Sequence, residues 1–227
     1  RQVVGDRPYE VVWCTVYRFH SRCVDRMRSG RVLLAGDVAH LMAPFGARGL
    51  NSGVADAENA AWKLAFVLHG WADESLLGSF DTERLDAARE NLAVTSRTMD
   101  FLVPQTQEGR AHRRDVLERA VTDPAARGSI DSGKLYAPTR YDTSPRPPIA
   151  DGPLRALARH GLLLLTTDAT TPTGIDAPHR VVTVEDEVAA ELGLRPGEVW
   201  LVRPDGHVAA VTDAGSVGGE VRRLLGR

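Results

Sequence analysis

Gly30-Arg31-Val32-Leu33-Leu34-Ala35-Gly36-Asp37-Val38-Ala39-His40-Leu41-Met42-Ala43-Pro44-Phe45-Gly46-Ala47-Arg48-Gly49-Leu50-Asn51-Ser52-Gly53 is the stretch on which the reading of the chain turns. The apolar run Val32 to Ala35, stopped by Gly36-Asp37, predicts a short strand buried on both faces. A carboxylate just past the carboxyl end of such a strand stands where open α/β sheets take ligands, and ionised Asp37 offers acceptors for a sugar or ribityl hydroxyl. Gly36 lets a ligand come close to the main chain. Gly46 and Gly49 bracket a turn before a helical pattern, so the amides of Gly49, Leu50 and Asn51 should face outward at a helix start, a site for an anion.

Downstream, Val54, Ala57, Ala61, Leu64, Ala65 and Leu68 recur at three- and four-residue steps, which predicts a helix from Leu50 to Gly70 with this stripe and Trp62 in the core. Asp73 is placed to cap a second helix through Leu76, Leu77, Phe80, Leu85, Ala88 and Leu92, ending before Pro104. A third is expected around Arg110 to Val121, its mixed charges a solvated face. Upstream, Val11 to Phe19 is rich in Val, Trp, Thr and Tyr and predicts a strand. Residue 1 is Arg, and the chain runs almost at once into this stretch, as expected of a piece of something longer.

Between Thr122 and Pro153 the composition turns to Pro, Gly, Ser, Asp and Thr, including Ser144-Pro145-Arg146-Pro147-Pro148, which can hold neither a helix nor a central strand. The expected organisation is therefore residues 1–121, a linker 122–153, and a second unit 154–227. In the last, Leu162–Leu165 and Arg180–Val184 read as strands, Asp186–Leu192 as a helix, and Val199–Val211 as a hairpin turning at Pro204-Asp205-Gly206, before a final helix Val217–Leu225. The fold class is α/β, or mixed α+β, with a small α/β layer at the end.

The 227 residues are 43% apolar and 26% charged with a net charge of −2, both signs scattered, which disfavours nucleic acid or a membrane surface as a partner. No apolar run reaches a spanning length and no signal-type segment opens the chain, so a cytoplasmic location is expected. Two cysteines, Cys14 and Cys23, give no metal or disulfide pattern. Taken alone, Gly36-Asp37 is a common strand-ending turn, and its functional reading depends on the Pro- and Gly-containing loop in register behind it. His40 reads as a hydrogen-bonded structural residue rather than a base or half of a metal site. Arg48 could set positive charge near a ligand or face solvent. Gly49-Leu50-Asn51-Ser52-Gly53 is not a nucleophile elbow, which argues against a serine hydrolase.

The run Gly-Asp-x-Ala-His-x-x-x-Pro from Gly36 to Pro44, then Gly46-Ala47-Arg48-Gly49-Leu50-Asn51 and Asp56-Ala57-Glu58-Asn59-Ala60-Ala61-Trp62-Lys63-Leu64-Ala65, closely resembles the second FAD-binding motif of the group A flavoprotein monooxygenases. Phenol, p-hydroxybenzoate, phenylpropionate and polyketide hydroxylases belong to that group. The resemblance implies FAD as cofactor, NAD(P)H as co-substrate, and O₂-dependent hydroxylation of an aromatic small molecule. It implies that Asp37 holds the ribityl chain, that Pro44 lies near the isoalloxazine and substrate, and that the backbone from Gly46 to Asn51 meets the ring. The expected cofactor set is thus Gly36, Asp37, Pro44, Gly46, Arg48, Gly49, Leu50 and Asn51, with no side chain assigned as catalytic. Glu83-Arg84 also fits the family's pattern, and Val202-Arg203-Pro204-Asp205-Gly206-His207-Val208-Ala209 resembles the thioredoxin-like tail domain of such hydroxylases. The family's G-x-G-x-x-G and its mid-chain motif are absent. Two expectations follow: a monooxygenase part that needs an N-terminal half and binds FAD weakly or not at all alone, or a non-catalytic module whose tail supplies a packing or homodimer surface.

Overall fold

A computed structural model describes residues 5–131, 135–149, 152–169 and 172–227. Three helices dominate the first half: α1 (Arg48–Leu68), α2 (Gly78–Leu102) and α3 (Gln107–Thr122). Their boundaries carry ordinary stop and start signals. Gly70, at φ +71°, follows α1, Asp73 accepts from the Ser75 amide at 2.8 Å in the turn before α2, and Thr106 accepts from the Gly109 amide at 3.0 Å to cap α3. The stretch Arg110 to Arg119 lies largely in solvent, as expected.

Around the start of α1 sit two small antiparallel ladders, β1 (Arg22–Cys23) with β4 (His40–Leu41) and β2 (Arg28–Ser29) with β3 (Val32–Leu33). Asp81, in the first turn of α2, accepts the Met27 and Arg28 amides at 2.5 and 3.0 Å and pins the second ladder to that helix. Met27, Ala39, Phe80 and Leu85 close a small core beneath it.

Two strand expectations fail here. Val11–Phe19 has no regular structure, and its large apolar side chains are exposed, Trp13 by 80%. Val32–Ala35 is not a strand buried on both faces: only Val32–Leu33 pair, in a local hairpin, and Val32 is exposed. The reason is the same in both. A strand exists only against a neighbour that satisfies its amides and carbonyls, and no further partner lies among the described residues.

The second half builds one mixed sheet in the order β6–β5–β7–β8, from β5 (Leu162–Thr166), β6 (His179–Thr183), β7 (Val199–Val202) and β8 (Val208–Thr212). β5 and β6 run parallel, with β7 and β8 antiparallel to their neighbours. Helices α4 (Pro153–Ala158), α5 (Asp186–Leu192) and α6 (Val217–Leu224) accompany it. The expected elements from Leu162 onward stand to within a residue or two.

Alternation along β5 distributes its leucines. Leu163 and Leu165 pack with Trp200, Val202, Ala158 and Ala189 on one face, while Leu162 and Leu164 meet Leu201, Val217 and Val221 on the other. Trp62 and Phe66 of α1 join that second cluster, so one apolar core is shared between α1 and the sheet. Each fully buried leucine contributes about 1.5–3 kcal/mol relative to exposure.

Helix α1 turns its faces opposite to the sequence expectation. Trp62 is buried as expected, but Val54, Leu64 and Leu68 of the predicted core stripe are exposed, Leu68 by 77%. Arg48, Ser52, Asp56, Asn59, Trp62, Lys63 and Phe66 point inward instead. An inward polar row at helical spacing requires partners, and these define the site.

Candidate functional site

The loop from Pro44 to Ala47 enters α1 with Gly46 at φ +78° and Ala47 at φ +53°, in the left-handed region. Ala47 caps the helix with no side-chain acceptor, so the first-turn amides have none from that residue. Pro44, Leu50 and Asn51 are exposed around it, and the Asn51 amide folds back to donate to the Ala47 carbonyl at 2.6 Å. A 21-residue helix therefore presents its positive end on an open surface of small residues.

Arg48 does not face solvent, one of its two expected places. Its guanidinium is buried, donating to Asn91 Oδ1 at 2.5 Å and to the Leu135 carbonyl at 3.2 Å. The loop is further tied down by the Tyr136 amide, which donates to the Gly46 carbonyl at 3.0 Å.

Gly36–Asp37–Val38 forms a tight turn packed against α1. Gly36 sits at φ +65°, a conformation that calls for glycine, and its Cα packs closely on Gly53, where a built methyl would lie at contact distance, 3.4 Å. Asp37 is exposed and borders a shallow cavity with Arg22, Cys23 and His40, whereas Asn51 borders a different one. The turn and the helix start are thus held to one framework and border different cavities.

What holds the turn was not read from the sequence. Asp56, fully buried on α1, accepts the Gly36 amide at 2.9 Å, shares a 2.7 Å hydrogen bond with His40 Nε2, and accepts Arg84 Nε at 2.7 Å. Burial alone would raise its pKa, but His40 and Arg84 override that and lower it. His40, 1% exposed, is the structural histidine expected.

Beyond Arg84 a second cluster links both helices to the turn between β7 and β8. Glu83 accepts Lys63 Nζ at 2.8 Å and Arg203 at 2.6 and 2.9 Å. Asp205 accepts Asn59 Nδ2 at 3.1 Å, Trp62 Nε1 at 3.0 Å and Arg203 at 2.5 and 3.0 Å. The Tyr141 hydroxyl accepts from Arg84 at 3.0 Å and Asn59 at 3.3 Å, and its ring stacks on His207 with centroids 4.1 Å apart. The missed signal was the polar row Asp56, Asn59, Lys63 at i, i+3, i+7, outweighed by the apolar stripe beside it.

These environments shift proton affinities. Burial pulls Lys63 down to about 8 although Glu83 opposes it. Burial would raise Glu83, but Arg203 and Lys63 hold it at about 2. Burial pushes Tyr141 up to about 12. With Glu83 at about 2 folded and 4.5 ordinarily, the folded chain binds fewer protons between those values. Its stabilisation is complete above pH 4.5 and is lost toward pH 2. Thermal melts should therefore fall steeply below pH 4.5, and Glu83→Gln should flatten that fall. On the alkaline side, Lys63 at about 8 against 10.5 makes stability rise with pH between those values.

Residues 4–95, which contain all eight expected cofactor residues, match the model of an FAD binding domain. A flavin-dependent monooxygenase of Mycobacteroides abscessus is 32% identical over 209 residues, covering 89% of this chain and 42% of the relative. A 3-(3-hydroxy-phenyl)propionate/3-hydroxycinnamic acid hydroxylase of Mycolicibacterium vanbaalenii is 36% identical over 167 residues, 68% of this chain and 29% of that protein. Among solved structures, the rebeccamycin biosynthetic enzyme RebC with reduced flavin superposes with a TM-score of 0.64 at 28% identity, over 91% of this chain and 47% of RebC. The flavin-dependent monooxygenase PieE in complex with FAD and substrate shares the fold, with a TM-score of 0.68 at 23% identity over 92% of this chain and 50% of PieE. The chain spans half or less of the length of these relatives. By domain match, relatives and fold, the chain is a homologue, over part of their length, of the flavin-dependent monooxygenases of the group A aromatic-hydroxylase type.

Proposed function

We propose that this chain is one part of an FAD-dependent monooxygenase that hydroxylates an aromatic small molecule with NAD(P)H and O₂, and that Gly36–Asn51 takes the flavin. The observation that carries this reading is the start of α1, with no side-chain cap from Ala47, behind an exposed loop of small residues and with the Gly36–Asp37 turn fixed against the same helix. These residues fit the cofactor. Exposed Asp37 would grip the ribityl hydroxyls, the main chain of Gly46, Gly49, Leu50 and Asn51 would face the ring, and Pro44 would border ring and substrate. Bound there, the flavin supplies electron transfer from NAD(P)H and oxygen activation. The chain's own work is to orient the ring and to place amides and a helix dipole where negative charge develops. Arg48 contributes by anchoring the loop from below rather than by facing the cofactor.

The exposed row Leu50, Val54, Ala57, Ala61, Leu64 and Leu68 on α1, with the unpaired apolar segment at residues 9–19, supports a fold completed by further chain. The division into 1–121, 122–153 and 154–227 belongs to the same reading. A mixed sheet with helices on both faces supports the thioredoxin-like tail. No described helix is long and apolar enough to cross a membrane, which supports a cytoplasmic enzyme. The homodimer is tested by chromatography of the completed protein.

The chain alone should leave the absorbance of added FAD unchanged. Joined to a half carrying a dinucleotide-binding unit, it should co-purify yellow. In that protein Asp37→Ala should weaken FAD about 10- to 100-fold, the equivalent of losing charge-assisted hydrogen bonds of ~1.5–3 kcal/mol. A colourless joined protein, or unchanged FAD affinity in the variant, overturns the reading.

A further inference from the structure

The turn Arg203–His207 is remote in sequence from the Gly36–Asp37 turn, yet buried side chains connect them without a break. Asp205 fixes Asn59, Asn59 donates to the Tyr141 hydroxyl, Tyr141 accepts from Arg84, Arg84 donates to Asp56, and Asp56 accepts the Gly36 amide. His207 stacks on the Tyr141 ring and shares a 3.0 Å hydrogen bond with the Thr139 carbonyl, fixing the ring from the far side. Asp205, Asn59, Tyr141, Arg84 and Asp56 are all at least nine-tenths buried, so water cannot readily replace a lost link.

We propose that the Arg203–His207 turn positions the Gly36–Asp37 turn, with Tyr141 as the coupling residue and Asp205, Arg84 and Asp56 as positioning residues. Its value for cofactor binding rests on the function proposed above, but the coupling itself does not. Gly36 is the reporter, because its amide is the last link. The ring of Tyr141 keeps its stack in Tyr141→Phe, while the two hydroxyl contacts vanish: Arg84 is left with a donor short of an acceptor, and Asn59, which keeps Glu83 and Asp205, loses its link toward Arg84. Slack then passes to Asp56.

The test is amide hydrogen exchange of the whole chain without flavin, taking the rate at Gly36 relative to that at Ala88 inside α2. That ratio should rise about tenfold in Tyr141→Phe and in Asp205→Asn, the equivalent of a hydrogen bond weakened by ~1.4 kcal/mol. Leu165→Ala, which opens a cavity in the sheet away from this chain of contacts, loosens the molecule generally and should leave the ratio unchanged. A ratio that stays put in Tyr141→Phe, or that rises as much in Leu165→Ala, overturns the proposal. Because no flavin is present, this failure is separate from that of a colourless joined protein.

Discussion

Glu83→Ala is expected to cost about 3–5 kcal/mol of folding stability, enough to unfold much of the chain at physiological temperature. Glu83 faces two buried cations, Lys63 and Arg203, and takes three hydrogen bonds from them. Removing it leaves Lys63, fully buried, with no carboxylate in contact, and Arg203 with Asp205 alone. Stripping one partner from a buried ion pair costs far more than the pair itself contributes, because the surviving charge keeps its desolvation penalty. Denaturant melts check this, and a loss below about 1 kcal/mol would show that water reaches the cluster. A Glu83→Gln, Lys63→Met double variant should recover part of the loss, since it removes one of the stranded charges.

Asp56→Ala is the second large effect and the more telling for function. Three donors converge on this carboxylate: the Gly36 amide, His40 and Arg84. A cost of about 3–5 kcal/mol follows from the stranded Arg84 charge. Unlike Glu83→Ala, it also frees the Gly36–Asp37 turn from α1. In the completed enzyme, retained FAD should therefore drop to a trace even at temperatures where circular dichroism still reports folded helices. Full FAD retention in folded Asp56→Ala would show that the turn keeps its place through the Gly36–Gly53 packing alone.

How much of this was legible in the sequence follows from the range of the forces involved. Helices α2, α3 and α5 and the strands β5 to β8 were readable because caps, glycines and local periodicity specify them. The strands at Val11–Phe19 and Val32–Ala35 failed because pairing is non-local: β-rich composition makes a strand available, but only a neighbour makes it one. Helix α1 shows the subtler failure. Its position was readable, yet its orientation was not, since an apolar row and a polar row run side by side and hydrophobicity alone favours burying the first. Trp62 and Phe66 lie between them and anchor the polar side inward. The Gly36–Asn51 loop was legible as chemistry, whereas Asp56, Tyr141 and Asp205 acquire their roles only when distant segments meet. Arg48 could not be placed either, because its acceptors Asn91 and the Leu135 carbonyl are 43 and 87 residues away.

That distance has a consequence for synthesis. Arg203 follows Glu83 by 120 residues, and Asp205 follows Asn59 by 146. While the polypeptide is still emerging, α1 and α2 are already outside the ribosome with an indole, a carboxamide and a carboxylate lacking their final counterparts. Their packing can be completed only once the last hairpin has emerged, so this cluster closes late relative to the synthesis of α1 and α2.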